Sequence, residues 1–465
     1  VCHQASAEHV DSAVELSVAA QPSWDRLGAE ERARILNRAA DLYEEHRDEL
    51  IDLCVREGGR TIPDCISELR EAVDFMRYYG AQAKKHFGEP IVLPGPTGER
   101  NTYSMRGKGV FIAISPWNFP LAIFTGQVTA ALAAGNAVLA KPAAPTPLIA
   151  YRAIQLLHEA GVPGDVLHFV PCGGRLMGER GVADPRIAGV VFTGSTEVAQ
   201  TINQTLAHRD GPIGTLIAET GGQNAMFVDS SALPEQVVHD SIYSAFNSAG
   251  QRCSALRLLC VQEEIEPRTL DLLKGYMEEL TIGDPRHLST DVGPVIDDPS
   301  RQILTKHVER MGKEQKIVHR RALPSGADAG TFFAPTLVEI DDISALTEEQ
   351  FGPVLHVVKF RSRHLDKMVA AVNGTGFGLT MGLHSRIDSR VAGLAADCRA
   401  GNLYVNRNMI GAVVGVQPFG GCGLSGTGPK AGGPHYVQRF GTEFTLSNNI
   451  SAVGGNASLL TLGSD

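Results

Sequence analysis

Residues 109–161 read GVFIAISPWNFPLAIFTGQVTAALAAGNAVLAKPAAPTPLIAYRAIQLLHEAG. No residue between Gly109 and Ala140 is charged, a run long enough to cross a bilayer. Pro116, Trp117, Asn118, Pro120, Gln127, Gly135 and Asn136 interrupt it, and such residues punctuate separate elements. The stretch therefore reads as a buried strand over Val110–Ile114, a loop, a buried helix over Leu121–Ala134 and a second strand over Ala137–Lys141. Gly135 stands where helices end. A further helix over Leu148–Glu159 is closed by Gly161. Strands alternating with helices predict a parallel sheet covered on both faces.

The alternation continues outward. Val166–Val170, Gly189–Phe192 and Leu216–Ala218 are further strands. A second series begins with a strand at Ala225–Val228, a helix near Pro234–Ser248, a strand at Leu256–Val261 and a helix near Pro267–Leu280. Upstream, residues 8–50 read as two helices and 64–87 as another, with Leu69, Val73 and Met76 on one face. A Pro/Gly-rich break spans Pro90 to Gly98. Gly411–Gly433 is Gly-rich and uncharged until Lys430, which suggests a structured loop near a pocket. The tail from Thr442 to Leu460 alternates weakly, as an edge strand or interface segment would.

At 465 residues the chain predicts about three structural units. Apolar residues at 43% and charged residues at 20% exclude a disordered or fibrous chain. The net charge of −10, with no Lys/Arg run longer than a pair such as Arg320-Arg321, argues against nucleic acid as a partner. The 50 glycines suggest backbone that approaches a ligand closely. Eight scattered cysteines form no C-x-x-C pair, and no His/Cys cluster has zinc spacing, so no metal site is expected. That cysteine usage suits a reducing compartment, and a cytoplasmic protein is expected. The polar first residues carry no secretory signal. Starting at Val1 on a helical pattern, the chain reads as a piece of something longer.

Five candidates for chemistry fall at strand ends. Cys253, in Gly250-Gln251-Arg252-Cys253, lies between a helix and a strand, where Arg252 would favour a thiolate. Composition alone favours a small buried thiol instead. Glu219, in Ala218-Glu219-Thr220-Gly221-Gly222, is either a general base at a strand end or a cap. Asn118, between two prolines, is either an oxyanion donor or a turn-former. Phe192-Thr193-Gly194-Ser195-Thr196 is a strand–Gly–helix turn able to receive phosphate, although it lacks G-x-G-x-x-G. Lys141 is either a ribose or phosphate ligand or a surface lysine.

Together these motifs resemble the aldehyde dehydrogenase superfamily over nearly the whole chain. In order they are Pro116-Trp117-Asn118-Phe119-Pro120, Lys141-Pro142-Ala143, Phe192-Thr193-Gly194-Ser195, Glu219-Thr220-Gly221-Gly222, Gly250-Gln251-Arg252-Cys253, Glu349-Gln350-Phe351-Gly352-Pro353 and Pro418-Phe419-Gly420-Gly421. Three stretches are similar to the dehydrogenase half of the proline utilisation A family: Asn402 to Asn408, Gly411 to Pro434, and Gly454 to Leu460. That family joins a flavin-dependent proline dehydrogenase to an NAD-dependent glutamate-γ-semialdehyde dehydrogenase.

The resemblance implies an α/β fold. A Rossmann-type cofactor domain would comprise residues 1–88 and 108–219, and an α/β catalytic domain residues 220–434. Residues 89–107 and 435–465 would form a small oligomerisation segment of a homo-oligomer. It implies Cys253 as nucleophile, Glu219 as the base that activates water, and Asn118 with the Cys253 N–H as oxyanion donors. NAD would lie on Lys141, Gly194, Ser195 and Glu349, with Ile114, Trp117 and Phe351 lining the cleft. Ser254, Gly411, Ala412 and Phe419 would surround the aldehyde, the loop N–H groups receiving an α-carboxylate. By spacing alone Gly411-Ala412 is a tight turn. The implied reaction is oxidation of L-glutamate-γ-semialdehyde to L-glutamate, the second step of proline catabolism, with another short aldehyde as the alternative substrate. A proline dehydrogenase domain is the implied partner. Two departures stand out. Ala144 replaces a common Glu that would repel a 2′-phosphate, which leaves NADP as second choice to NAD. Ala199 replaces a common Gly.

Overall fold

The opening stretch forms β1 (Val110–Ile114) and β2 (Ala137–Lys141), joined by a helix at Ala122–Ala133, in a computed structural model that describes residues 2–96 and 98–449. Every residue of β2, and all of β1 but Ile114, is buried, as continuous apolar runs in a two-sided sheet require. β3 (Leu167–Phe169), β4 (Ile187–Thr193) and β5 (Thr215–Glu219) complete a five-stranded parallel sheet in the order β3-β2-β1-β4-β5. The chain steps outward from β1 to β3, then returns to the other side of β1. The order therefore reverses between β1 and β4, and a crevice opens beyond their carboxyl ends. Ile114 pairs with Phe192 at that rim.

The second sheet contains β6 (Ala225–Val228), β7 (Leu258–Gln262), β8 (Lys316–Arg320), β9 (Thr336–Glu339), β10 (Val354–Phe360), β11 (Thr380–His384) and β12 (Asn402–Val405). Its order is β8-β9-β10-β7-β6-β11-β12, with only the β8–β9 pair antiparallel. The buried apolar residues fall into two clusters. One runs from Val10 to Ala218 and includes Tyr436, Val437 and Phe440; the other runs from Ala225 to Met409.

The N-terminal region differs from the two helices expected over 8–50. It holds three: Ala7–Arg26, Ala29–Glu45 and Arg47–Gly58. Gly28, at φ 88°, breaks the first from the second. The third continues past residue 50 because Cys54 and Val55 bury one face, and left-handed Gly59 ends it. The helix Ile62–Phe87 starts earlier than expected, with Pro63 in its first turn. It packs against the helices Ala29–Glu45 and Ala122–Ala133.

Ile91–Leu93, Glu99–Gly107 and Gly441–Asn449 form a three-stranded antiparallel sheet. The tail thus begins as a strand, whereas residues 450–465, with the Gly454–Leu460 motif, lie outside the described residues. Among the described residues no helix is long and apolar enough to cross a membrane.

Candidate active site

The crevice at the β1–β4 reversal is a cleft of about 1390 Å³. Its walls include all seven expected cofactor residues: Ile114, Trp117, Lys141, Gly194, Ser195, Glu349 and Phe351. Asn118 and Cys253 lie in the same walls. A second, smaller cavity of about 100 Å³ is lined by Glu219, Ser254, Ala412 and Phe419, again with Cys253. Cys253, Thr193 and Thr220 border both spaces. Gly411 borders neither; its carbonyl accepts from Arg407 Nη2 at 2.7 Å. The N–H groups of Gly411 and Ala412 donate to no group among the described residues.

Lys141 ends β2 and is 9% exposed, so the surface-lysine reading does not hold. Burial lowers its ammonium pKa, and among the described residues Nζ donates only to the Pro142 carbonyl at 3.1 Å. Ser195 is the N-cap of the helix Thr196–His208; its hydroxyl accepts from the Val198 N–H. Ser195, Thr196, Glu197 and Val198 put that helix start in the cleft wall, a position suited to phosphate. Ala144 lines the cleft beside Lys141, while Ala199 is buried and is not among the lining residues. Trp117 meets Phe351 edge to face at 5.6 Å between ring centroids. Burial raises the Glu349 carboxyl pKa, against the pull of Arg257, which donates to Oε1 at 3.1 Å.

Asn118 is held from both ends. Its carbonyl accepts from Arg60 Nη1 at 2.6 Å, and its Nδ2 donates to the Gln251 carbonyl at 3.1 Å. The second Nδ2 proton remains for the cleft. Arg60 is itself fixed by a buried ion pair with Glu68 at 2.5 Å. Glu68 Oε1 also accepts from the N–H groups of Leu121 and Ala122, at the start of the helix Ala122–Ala133. Asp64 and Glu68 stand four residues apart on the helix Ile62–Phe87 and so share a face, and Arg60 lies just before the N-cap Thr61 of that helix. That spacing was the available signal for this buried set, and sequence reading passed over it.

Glu219 ends β5. Its Oε2 accepts from the Gly421 N–H at 3.0 Å, and its buried Oε1 has no partner among the described residues. The side chain caps no helix. Burial pushes its pKa up to about 8, against the Gly421 hydrogen bond and the Lys430 charge. A Cβ on Gly420 would stand 2.7 Å from Oε1, and one on Gly426 2.9 Å from Oε2. Glycine at these positions makes room for the carboxylate.

Cys253 is half-buried after a tight turn. Burial, with the Glu349 and Glu219 carboxylates nearby, pushes its thiol up to about 12. The expected help from Arg252 is small, because Arg252 is paired with Asp64 at 3.1 Å. Cys253 therefore rests as a thiol, and its proton must leave as the sulfur reacts.

The family model described as "Aldehyde dehydrogenase family" matches residues 1–444. The bifunctional protein PutA of Klebsiella aerogenes is 50% identical over 444 residues, covering 94% of this chain and 33% of its own. The chain thus spans about a third of the length of that relative. A mutant of proline utilization A from Bradyrhizobium japonicum superposes with a TM-score of 0.95 at 55% identity, over 97% of this chain and 46% of that one. A Thermus 1-pyrroline-5-carboxylate dehydrogenase with bound NAD superposes with a TM-score of 0.91 at 32% identity, over 96% of this chain and 86% of that one. The chain belongs to the aldehyde dehydrogenase family.

Proposed function

We propose that the chain oxidises L-glutamate-γ-semialdehyde to L-glutamate with NAD. The observation that carries this reading is that Cys253 stands where the large cleft meets the small cavity, with Glu219 on the cavity side. The large cleft suits a dinucleotide: it is roomy, opens at a strand reversal, and holds a buried lysine without a carboxylate partner among the described residues. Lys141 and Glu349 would hold the riboses, and Gly194-Ser195 at the helix start the pyrophosphate. Ile114, Trp117 and Phe351 would form the walls. When bound, NAD accepts the hydride that leaves the reacting carbon. The NAD-bound Thermus neighbour supports NAD as the cofactor, and Ala144, which sets no carboxylate against a 2′-phosphate, leaves NADP as the alternative.

The chain's own groups account for the other steps. Cys253 Sγ adds to the aldehyde carbon as its proton passes to solvent water in the cleft. Asn118 Nδ2 and the Cys253 N–H donate to the resulting alkoxide. Loss of hydride leaves a thioester on Cys253. Glu219 then takes a proton from water, the water oxygen adds to the thioester carbon, the C–S bond breaks and the acid leaves. The Gly411 and Ala412 N–H groups, unpaired among the described residues, receive the α-carboxylate, with Ser254 and Phe419 beside the carbon chain.

In this reading a proline dehydrogenase supplies the semialdehyde, residues up to 219 serve the cofactor and residues 220–434 the catalytic side. The protein is a cytoplasmic homo-oligomer joined through the three-stranded sheet, where Ile91 and Val92 are exposed. The test is to mix the protein with NAD and glutamate-γ-semialdehyde and follow NADH absorbance. Growth of NADH with this aldehyde, well above that with acetaldehyde or propionaldehyde, is the expected result. Faster turnover of those aldehydes would overturn the substrate assignment.

A further inference from the structure

Arg257 lies four residues past Cys253 at the foot of β7 and is 1% exposed. Two of its donations go to the nucleophile turn: Nη1 to the Gly250 carbonyl at 2.6 Å and Nη2 to the Arg252 carbonyl at 3.0 Å. Two more go to the opposite loop: Nη2 to Glu349 Oε1 at 3.1 Å and Nη1 to the Gly352 carbonyl at 3.3 Å. The guanidinium also stands 5.2 Å from the centroid of the Phe351 ring. One rigid fork therefore ties together two loops about a hundred residues apart, a geometry that lysine does not reproduce.

The turn needs such a tie. Ser248, Ala249 and Gly250 have φ of 53°, 53° and 66°. Left-handed backbone at non-glycine residues persists only where the surroundings over-determine it. The tie also sets a direction. The Arg252–Cys253 peptide is planar and trans, so its N–H points away from its carbonyl. With that carbonyl held toward Arg257, the Cys253 N–H is turned to the other side, where it donates to no group among the described residues.

We infer that Arg257 is a positioning residue that couples the two loops, aiming the Cys253 N–H at the aldehyde oxygen while presenting Glu349 to a ribose. This rests on the proposed cofactor reading. Occupation of Glu349 would accordingly be felt at the turn before Cys253, even by a ligand that does not reach the sulfur.

ADP-ribose is the probe, because it carries the ribose expected at Glu349 but no nicotinamide ring. Hydrogen exchange is followed by mass spectrometry on the full chain with ADP-ribose, with AMP, and with neither. ADP-ribose should slow exchange in 248–253 at least threefold, and AMP should leave that segment unchanged. If ADP-ribose protects 347–353 but not 248–253, the coupling is wrong and the cofactor reading stands. If it protects neither segment, the cofactor reading fails first and takes the coupling with it. Arg257→Lys supplies the second readout: KM for NAD should rise and kcat fall, each about tenfold. A lower Tm with KM and kcat both at wild-type values would also overturn the coupling. Should that variant not fold, the exchange result on the unaltered chain decides.

Discussion

On the proposed assignment of Glu219 as the base, this residue should set the pH dependence of turnover. Its carboxylate is buried and, among the described residues, receives a single N–H from Gly421 and has one oxygen without a partner, so burial pushes its pKa up to about 8. A general base works only when ionised. A raised pKa therefore means that activity is lost as pH falls through 8. With a pKa of about 8, about one in eleven Glu219 side chains is ionised at pH 7 and about one in a hundred at pH 6. If thioester hydrolysis limits turnover, kcat should rise about tenfold from pH 6 to 7 and less than about twofold from pH 8 to 9. Lys430 lowers this pKa by its charge. Lys430→Met should thus move the midpoint upward, and Lys430→Arg should restore it. Three other titrating groups bear on the profile: Cys253 and Tyr436, which both feel the Glu219 charge, and Cys398, which acts on Lys430. The assay is kcat at saturating NAD and aldehyde, at constant ionic strength, from pH 6 to 9.5. A kcat that is flat from pH 6 to 8 would refute the assignment, as would a midpoint that ignores Lys430→Met.

Cys253→Ala should abolish NADH formation while the Kd for NAD, by calorimetry, stays within about threefold, since the contacts proposed for the cofactor lie elsewhere. Retained turnover would turn attention to the other cysteines. Ala144→Glu places a carboxylate in the cleft wall beside Lys141, so the NAD/NADP ratio of kcat/KM should rise; an unchanged ratio means that the position does not face the ribose. Glu68→Ala leaves Arg60 buried without its partner, and two N–H groups at a helix start without theirs. A loss of about 3–5 kcal/mol is expected in urea unfolding; a loss under about 1 kcal/mol, the range of exposed pairs, would contradict that burial.

The strands at the reversal were legible in the sequence because a parallel sheet buries both faces: Val110–Ile114 and Ala137–Lys141 stand as read. The motif residues were also legible, because glycines, prolines and a lone carboxylate at strand ends are unusual in an apolar run. Other features were not. Glu99–Gly107 is polar, its near partner Ile91–Leu93 is short, and its long partner Gly441–Asn449 lies more than three hundred residues away, so no local pattern marks it. Arg60, Glu68 and Arg257 look like surface charges in sequence, yet each is buried and organises a loop of the site. Arg252 misled for the same reason: proximity to Cys253 in the chain suggested a partner, while Asp64, from a distant helix, claims it.

The most direct test of the two-residue division of labour is rapid-quench mass spectrometry of Glu219→Gln mixed with NAD and glutamate-γ-semialdehyde. Gln keeps the size of the side chain but takes no proton from water. The account predicts a burst of about one NADH per active site, with a glutamyl thioester accumulating on the peptide that carries Cys253. Wild-type steady turnover with no adduct on Cys253 would contradict it.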